Sequence, residues 1–60
     1  MTEHTLQITD ALTKEEALII VRRVEGSTGL CVSLKTNGDA EVFLNSTELR
    51  RLIDTLKEFA

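Results

Sequence analysis

The chain has no proline, tryptophan or tyrosine, and only one cysteine, one histidine and two phenylalanines in 60 residues. Each scarcity removes a class of explanation. Cys31 has no second cysteine to pair with, and His4 is the sole imidazole, so neither an intrachain disulfide nor a Cys/His zinc site can be assembled. No cofactor is expected. The absence of proline leaves no hard stop along the chain. No apolar run approaches the roughly 20 residues of a membrane span, and no basic stretch followed by an apolar one opens the chain, so a reducing, cytoplasmic location without membrane contact is expected. The net charge is -3, with Lys and Arg scattered rather than massed. That balance disfavours functions that depend on neutralising phosphates, while leaving room for a local basic patch.

What is present is globular in character, with 42% apolar and 28% charged residues and no low-complexity tract. The whole chain, 1–60, reads as one small domain, with 1–12 either flexible or an edge strand. A core of this size rarely supplies more than roughly 3 to 5 kcal/mol, and small scaffolds compensate with disulfides, a metal or association. The first two are excluded by composition. Association is the remedy left.

The clearest local signal is Asn45-Ser46-Thr47-Glu48, a capping residue followed three positions later by a glutamate able to reach back to it. A helix is predicted to start there. Leu49, Leu52, Ile53, Leu56 and Phe59 then recur at spacings of three and four and form one apolar stripe. Leu44 and Leu49 are placed for a hydrophobic staple. On the other face, Arg50 with Asp54 and Asp54 with Lys57 are spaced for ion pairs.

Upstream, Leu30, Val32 and Leu34, then Ala40, Val42 and Leu44, alternate with polar neighbours at the period of half-buried strands. Asn37-Gly38 between them marks a hairpin. A three-residue loop with Gly38 left-handed pairs Leu34 with Ala40, Val32 with Val42 and Leu30 with Leu44, which makes one face wholly apolar. The same device at Gly26-Ser27-Thr28-Gly29, with Gly29 left-handed, pairs Gly26 with Leu30 and Val24 with Val32. Ala17 to Glu25 opens with an uninterrupted apolar run and reads as a central strand. A helix from a Thr13 cap through Glu16 competes with it. Thr5 to Thr9 alternate Leu6 and Ile8 with polar residues, the pattern of an additional edge strand.

The predicted fold class is therefore α+β, an antiparallel meander of three or four strands followed by one C-terminal amphipathic helix. In the register just described, Leu18, Ile20, Val24, Leu30, Val32, Leu34, Val42 and Leu44 meet the helix. Ile19, Val21, Cys31 and Phe43 are left on the opposite face. They are the expected dimer interface, with an N-terminal segment folded across them as the alternative.

Candidates for chemistry are few. A cysteine nucleophile needs a base or a helix N-terminus beside it, and the sequence around Cys31 offers neither, so a buried mid-strand hydrophobe is expected. No catalytic residue and no metal ligand set is assigned. Arg22, Arg23 and Lys35 are the candidate contacts for an anion or a nucleic acid. For Arg22 the competing reading is a salt bridge to Glu41, Asp54 or a second subunit.

The segment Glu41-Val42-Phe43-Leu44-Asn45-Ser46-Thr47-Glu48-Leu49-Arg50-Arg51-Leu52, a final strand running straight into a capped helix, resembles the end of the transcriptional positive cofactor four family. The likeness covers the last third of the chain. It implies four strands and a helix, a dimer, and curved sheets that bind single-stranded DNA, with Arg22, Arg23, Lys35 and Phe43 as the basic and aromatic contacts. Two functions follow as expectations. One is a non-enzymatic accessory or regulatory protein of a bacterium or phage that works as a homodimer on a protein partner. The other is a single-stranded nucleic-acid binder of the cofactor-four type.

Overall fold

The computed structural model of the chain describes residues 2–60. Four strands, β1 (Glu3–Thr9), β2 (Glu16–Val24), β3 (Ser27–Leu34) and β4 (Gly38–Leu44), form one antiparallel sheet in the order β1-β2-β3-β4, and the helix α1 (Ser46–Lys57) follows. This is the predicted α+β meander. The apolar run Ala17–Val21 lies in β2, an interior strand flanked on both sides, and the competing helix from Thr13 does not form. The N-terminal segment extends the sheet at its β1 edge instead of folding across a face.

Residues 10–15 carry the chain from β1 to β2. The Asp10 carboxylate accepts hydrogen bonds from the backbone N–H groups of Leu12 and Thr13 at 2.8 and 3.0 Å, the side-chain turn mimicry that aspartate favours. Lys14 then takes a left-handed φ of 66° and lets the chain reverse. One residue further on, the Glu15 carboxylate accepts from both the backbone N–H and the hydroxyl of Thr36 at 2.7 and 2.6 Å. The loop before β2 is thereby tied to the loop before β4, at the same end of the sheet.

The two later hairpins depart from expectation in different ways. Between β3 and β4, Leu34 pairs with Gly38, Val32 with Ala40 and Leu30 with Val42, two residues away from the predicted partners. Gly38 is left-handed as expected, at φ 81°. An even slip leaves every side chain on its predicted face, because the pleat repeats every two residues. Between β2 and β3 the turn is two residues long, Glu25-Gly26, both left-handed at φ 49° and 85°. Left-handed angles at both central positions define the type I′ turn, whose twist matches the flanking strands. Val24 therefore pairs with Ser27, Val21 with Leu30 and Ile19 with Val32. This slip is odd, so all of β2 is turned over relative to the prediction.

One face of the sheet consequently carries Leu6 and Ile8 from β1, Ala17, Ile19 and Val21 from β2, Leu30, Val32 and Leu34 from β3, and Ala40, Val42 and Leu44 from β4. Leu49 lines a shallow concavity with His4, Val21 and Thr28 on this side, so the first turn of α1 leans on one end of it. We call it the helix-side face. The outer face carries Glu3, Thr5 and Gln7, then Glu16, Leu18, Ile20 and Arg22, then Gly29, Cys31 and Ser33, and finally Asp39, Glu41 and Phe43.

The helix begins as predicted. The Asn45 side chain accepts from the Glu48 N–H at 2.8 Å, and the Glu48 carboxylate accepts from the Asn45 N–H at 3.0 Å, a complete capping box. The stripe ends sooner than predicted, since α1 stops at Lys57 and Phe59 lies beyond it, largely exposed. Arg50–Asp54 and Asp54–Lys57 do not close into ion pairs; among the described residues, Arg22–Glu41 and Lys35–Glu16 do.

The helix approaches only β3 and β4, and Leu56, on its apolar stripe, is 58% exposed. Among the described residues, Ala17 is the one buried apolar side chain. The accessible surface is 4982 Å², against about 3,900 Å² for a compact monomer of this mass. The radius of gyration is 12.5 Å, against about 10.4 Å for a compact domain of this length. Both quantities describe an open sandwich with one layer incomplete.

Two predictions follow from the local chemistry. Replacing the cap, Asn45→Ala, lowers unfolding stability by about 1 kcal/mol in urea titration, because the Glu48 N–H loses its acceptor. The Glu15 carboxyl is held below its ordinary value of 4.5 by the Thr36 hydroxyl and then by the Thr36 N–H, and the Asp10 carboxyl below 3.8 by the N–H groups of Thr13 and Leu12. A depressed acid contributes stability above its unfolded-state pKa and loses it as pH falls through the folded-state value. The melting-temperature gap between the native chain and Glu15→Gln should therefore shrink from about pH 6 to about pH 3; a gap that widens on acidification contradicts the assignment.

Candidate functional site

The sequence-derived interface of Ile19, Val21, Cys31 and Phe43 does not exist as one surface. Ile19 and Val21 lie on the helix-side face, while Cys31 and Phe43 lie on the outer face. The cause is the odd register set by Glu25-Gly26, which exchanges the two halves of β2. The residues missed for the helix-side face are Ile19 and Val21 themselves, together with Leu6 and Ile8, which extend it across β1. The signal was available in Glu25-Gly26, where a polar residue followed by glycine sits between two β-rich runs, as type I′ hairpins require.

On the outer face, four residues close over β3. Arg22 on β2 stands opposite Gly29 on β3, which stands opposite Phe43 on β4. The Arg22 guanidinium donates through Nε to Glu41 Oε2 at 3.0 Å and through Nη2 to Oε1 at 2.9 Å, a bidentate fork on a carboxylate. The same guanidinium lies 5.9 Å from the centre of the Phe43 ring, within the range of a cation–π contact. Hydrogen bonding to Glu41, followed by Coulomb attraction to it, raises the Arg22 pKa further above its already high ordinary value.

Gly29 makes this bridge possible. A Cβ there would stand 2.9 Å from Phe43 Cε1, 3.2 Å from Glu41 Oε2 and 3.3 Å from Arg22 Cγ. The missing side chain is the space through which a β2 residue reaches β4 across the strand between them. Gly29 was expected in a turn because glycine usually signals one; its role here is close approach within a strand.

The remaining candidates are dispersed. Arg23 is exposed and projects on the helix-side face at the end where Leu49 sits. Lys35 follows β3 in the loop and is 3.7 Å from Glu16. Arg22, Arg23 and Lys35 therefore do not converge. Cys31 is half-buried between Ile20 and Glu41 and lines a shallow depression with Arg22 and Glu3. The neighbouring Glu41 carboxylate is engaged by Arg22, and the Glu3 carboxylate lines the same depression. Among the described residues no group of three or more His, Cys, Asp or Glu converges for a metal, and no helix is long and apolar enough to cross a membrane.

Filling the gap at Gly29 provides a test of the bridge. Gly29→Val displaces the Phe43 ring and separates Arg22 from Glu41, so the melting temperature should fall by on the order of 5 °C or more, and the Arg22 Nε–H resonance should lose its bonded chemical shift. A variant with both observables unchanged would contradict the packing described.

No family model matches the chain, and neither a curated protein nor a solved structure matches it.

Proposed function

We propose that the chain is a non-enzymatic accessory or regulatory protein that acts through protein contacts, as a homodimer. The observation that carries this reading is the incomplete second layer. The chain exposes about 1,100 Å² more surface than a compact monomer of its mass. A standard interface removes about 800 Å² from each partner. A second copy supplies cover on that scale from the only kind of element the chain has, an apolar sheet with a half-covered helix.

Among the described residues, the fork between Arg22 and Glu41 is internally satisfied and leaves neither group free for a reaction. The nucleic-acid alternative finds less support. Sheets that hold single strands combine free cations with stacking aromatics. Here Arg22 is engaged by Glu41, and Phe43 shares the outer face with Glu3, Glu16, Asp39 and Glu41.

Sedimentation equilibrium of the native chain at tens of micromolar should give the dimer mass. Fluorescence anisotropy with a single-stranded oligonucleotide should show no binding at low salt. A monomer throughout would overturn the homodimer reading, and oligonucleotide binding that weakens steeply as salt rises would replace it with the nucleic-acid one.

A further inference from the structure

We infer that the second copy docks on the helix-side face of the sheet, face to face about a two-fold axis, and leaves the Arg22–Glu41–Phe43 face turned to solvent. This rests on the homodimer reading and specifies its surface.

Two independent features select this face. The first is where the uncovered apolar area lies. Leu6, Ile8, Val32 and Val42 all project on the helix-side face, and all are exposed, Val42 by 50%. Val32 and Val42 lie on adjacent strands that α1 approaches, so their exposure shows that the helix leaves the middle of its own face open. Leu56 continues the stripe that begins at Leu49, two turns further along the helix, and it too lacks cover. The second feature is charge. A two-fold interface sets a surface against its own copy, so every charge meets the charges of the same patch. The helix-side strands place one formal charge on this face, Arg23, at the end beside the helix start. The outer face would bring Glu3, Glu16, Asp39 and Glu41 of one copy toward the same four of the other, with only the Arg22 guanidinium and the exposed Lys35 ammonium, 3.7 Å from Glu16, to offset each set. Like charges brought together in a dry interface are strongly unfavourable.

Pairing of two sheets through an edge strand is the competing arrangement. It would extend the sheet but leave the helix-side face as open as before, and so would not remove the excess surface.

Adjacent residues of β4 give a matched experiment. Val42 and Phe43 are exposed to nearly the same degree, 50% and 49%, and project to opposite faces. Sedimentation equilibrium is run on the native chain, Val42→Glu, Leu6→Glu and Phe43→Glu, with far-ultraviolet circular dichroism to confirm that each is folded. The expected result is a native dimer whose Kd rises about 100-fold or more in Val42→Glu and in Leu6→Glu, because each substitution buries two unpaired carboxylates across the axis. Phe43→Glu should stay within about threefold of native. Leu6 lies on an exposed edge strand, so it carries the test even where Val42→Glu does not fold. A native dimer dissolved by Phe43→Glu but not by the other two, or by none of the three, overturns the face assignment and leaves the homodimer reading standing. A native monomer overturns both and gives the face to a different protein.

Discussion

A two-residue turn decides what the two faces of this sheet are made of. Because Glu25 and Gly26 both adopt left-handed angles, β2 meets β3 in a register that sets Ile19 and Val21 beside Leu30 and Val32, and Arg22 beside Gly29. One more residue in that turn would reverse every side chain of β2. The apolar set would then be divided between two faces, and Arg22 would stand on the side from which the helix departs. The segregation of an apolar face from a charged one depends on this parity, and so do the bridge across Gly29 and the proposed docking surface.

The two faces are stabilised by different physics. On the outer face, β2 and β4 are tied across β3 by a charge-assisted fork and an aromatic ring, in the space left by one missing Cβ. This contact is self-contained and needs no partner. On the helix-side face there is little besides apolar area, and the one helix available leans on it only at one end. A capped helix of twelve residues spans about 18 Å, yet Leu49, Leu52 and Ile53 of its stripe are only half-buried and Leu56 is exposed. Under the proposed dimer, burial of that area is what a second copy would add.

Much of the architecture was legible in the sequence. The Asn45–Glu48 box located the helix start to the residue, and the alternation around Asn37-Gly38 located β3 and β4 with the correct faces, because a slip of two residues there changes partners without changing sides. The uninterrupted apolar run of β2 was read as a central strand for a sound reason, but that same run made its register unreadable. A strand apolar at every position gives no period-two signal, so the turn alone sets the parity, and the turn was assigned to the wrong glycine. Gly29 drew the assignment because glycine in a strand is rarer than glycine in a loop; the need for close approach arises only once Arg22 and Phe43 are known to flank it. Arg22 was singled out as needing an acidic partner, and Glu41 is one of the partners foreseen, since a long cation in a sheet needs one within reach. The proposed interface was the casualty, because two of its four members, Ile19 and Val21, were placed by the β2 parity that proved reversed.

The most direct test of the account is an isotope-filtered NOE experiment on a mixed sample of labelled and unlabelled chains, which detects only contacts between copies. The account predicts cross-chain contacts at the methyl groups of Leu6, Ile8, Val32 and Val42 and none at the Phe43 ring. Cross-chain contacts confined to Phe43, Leu18 and Ile20, or none at all at concentrations where the native chain sediments as a dimer, would contradict it.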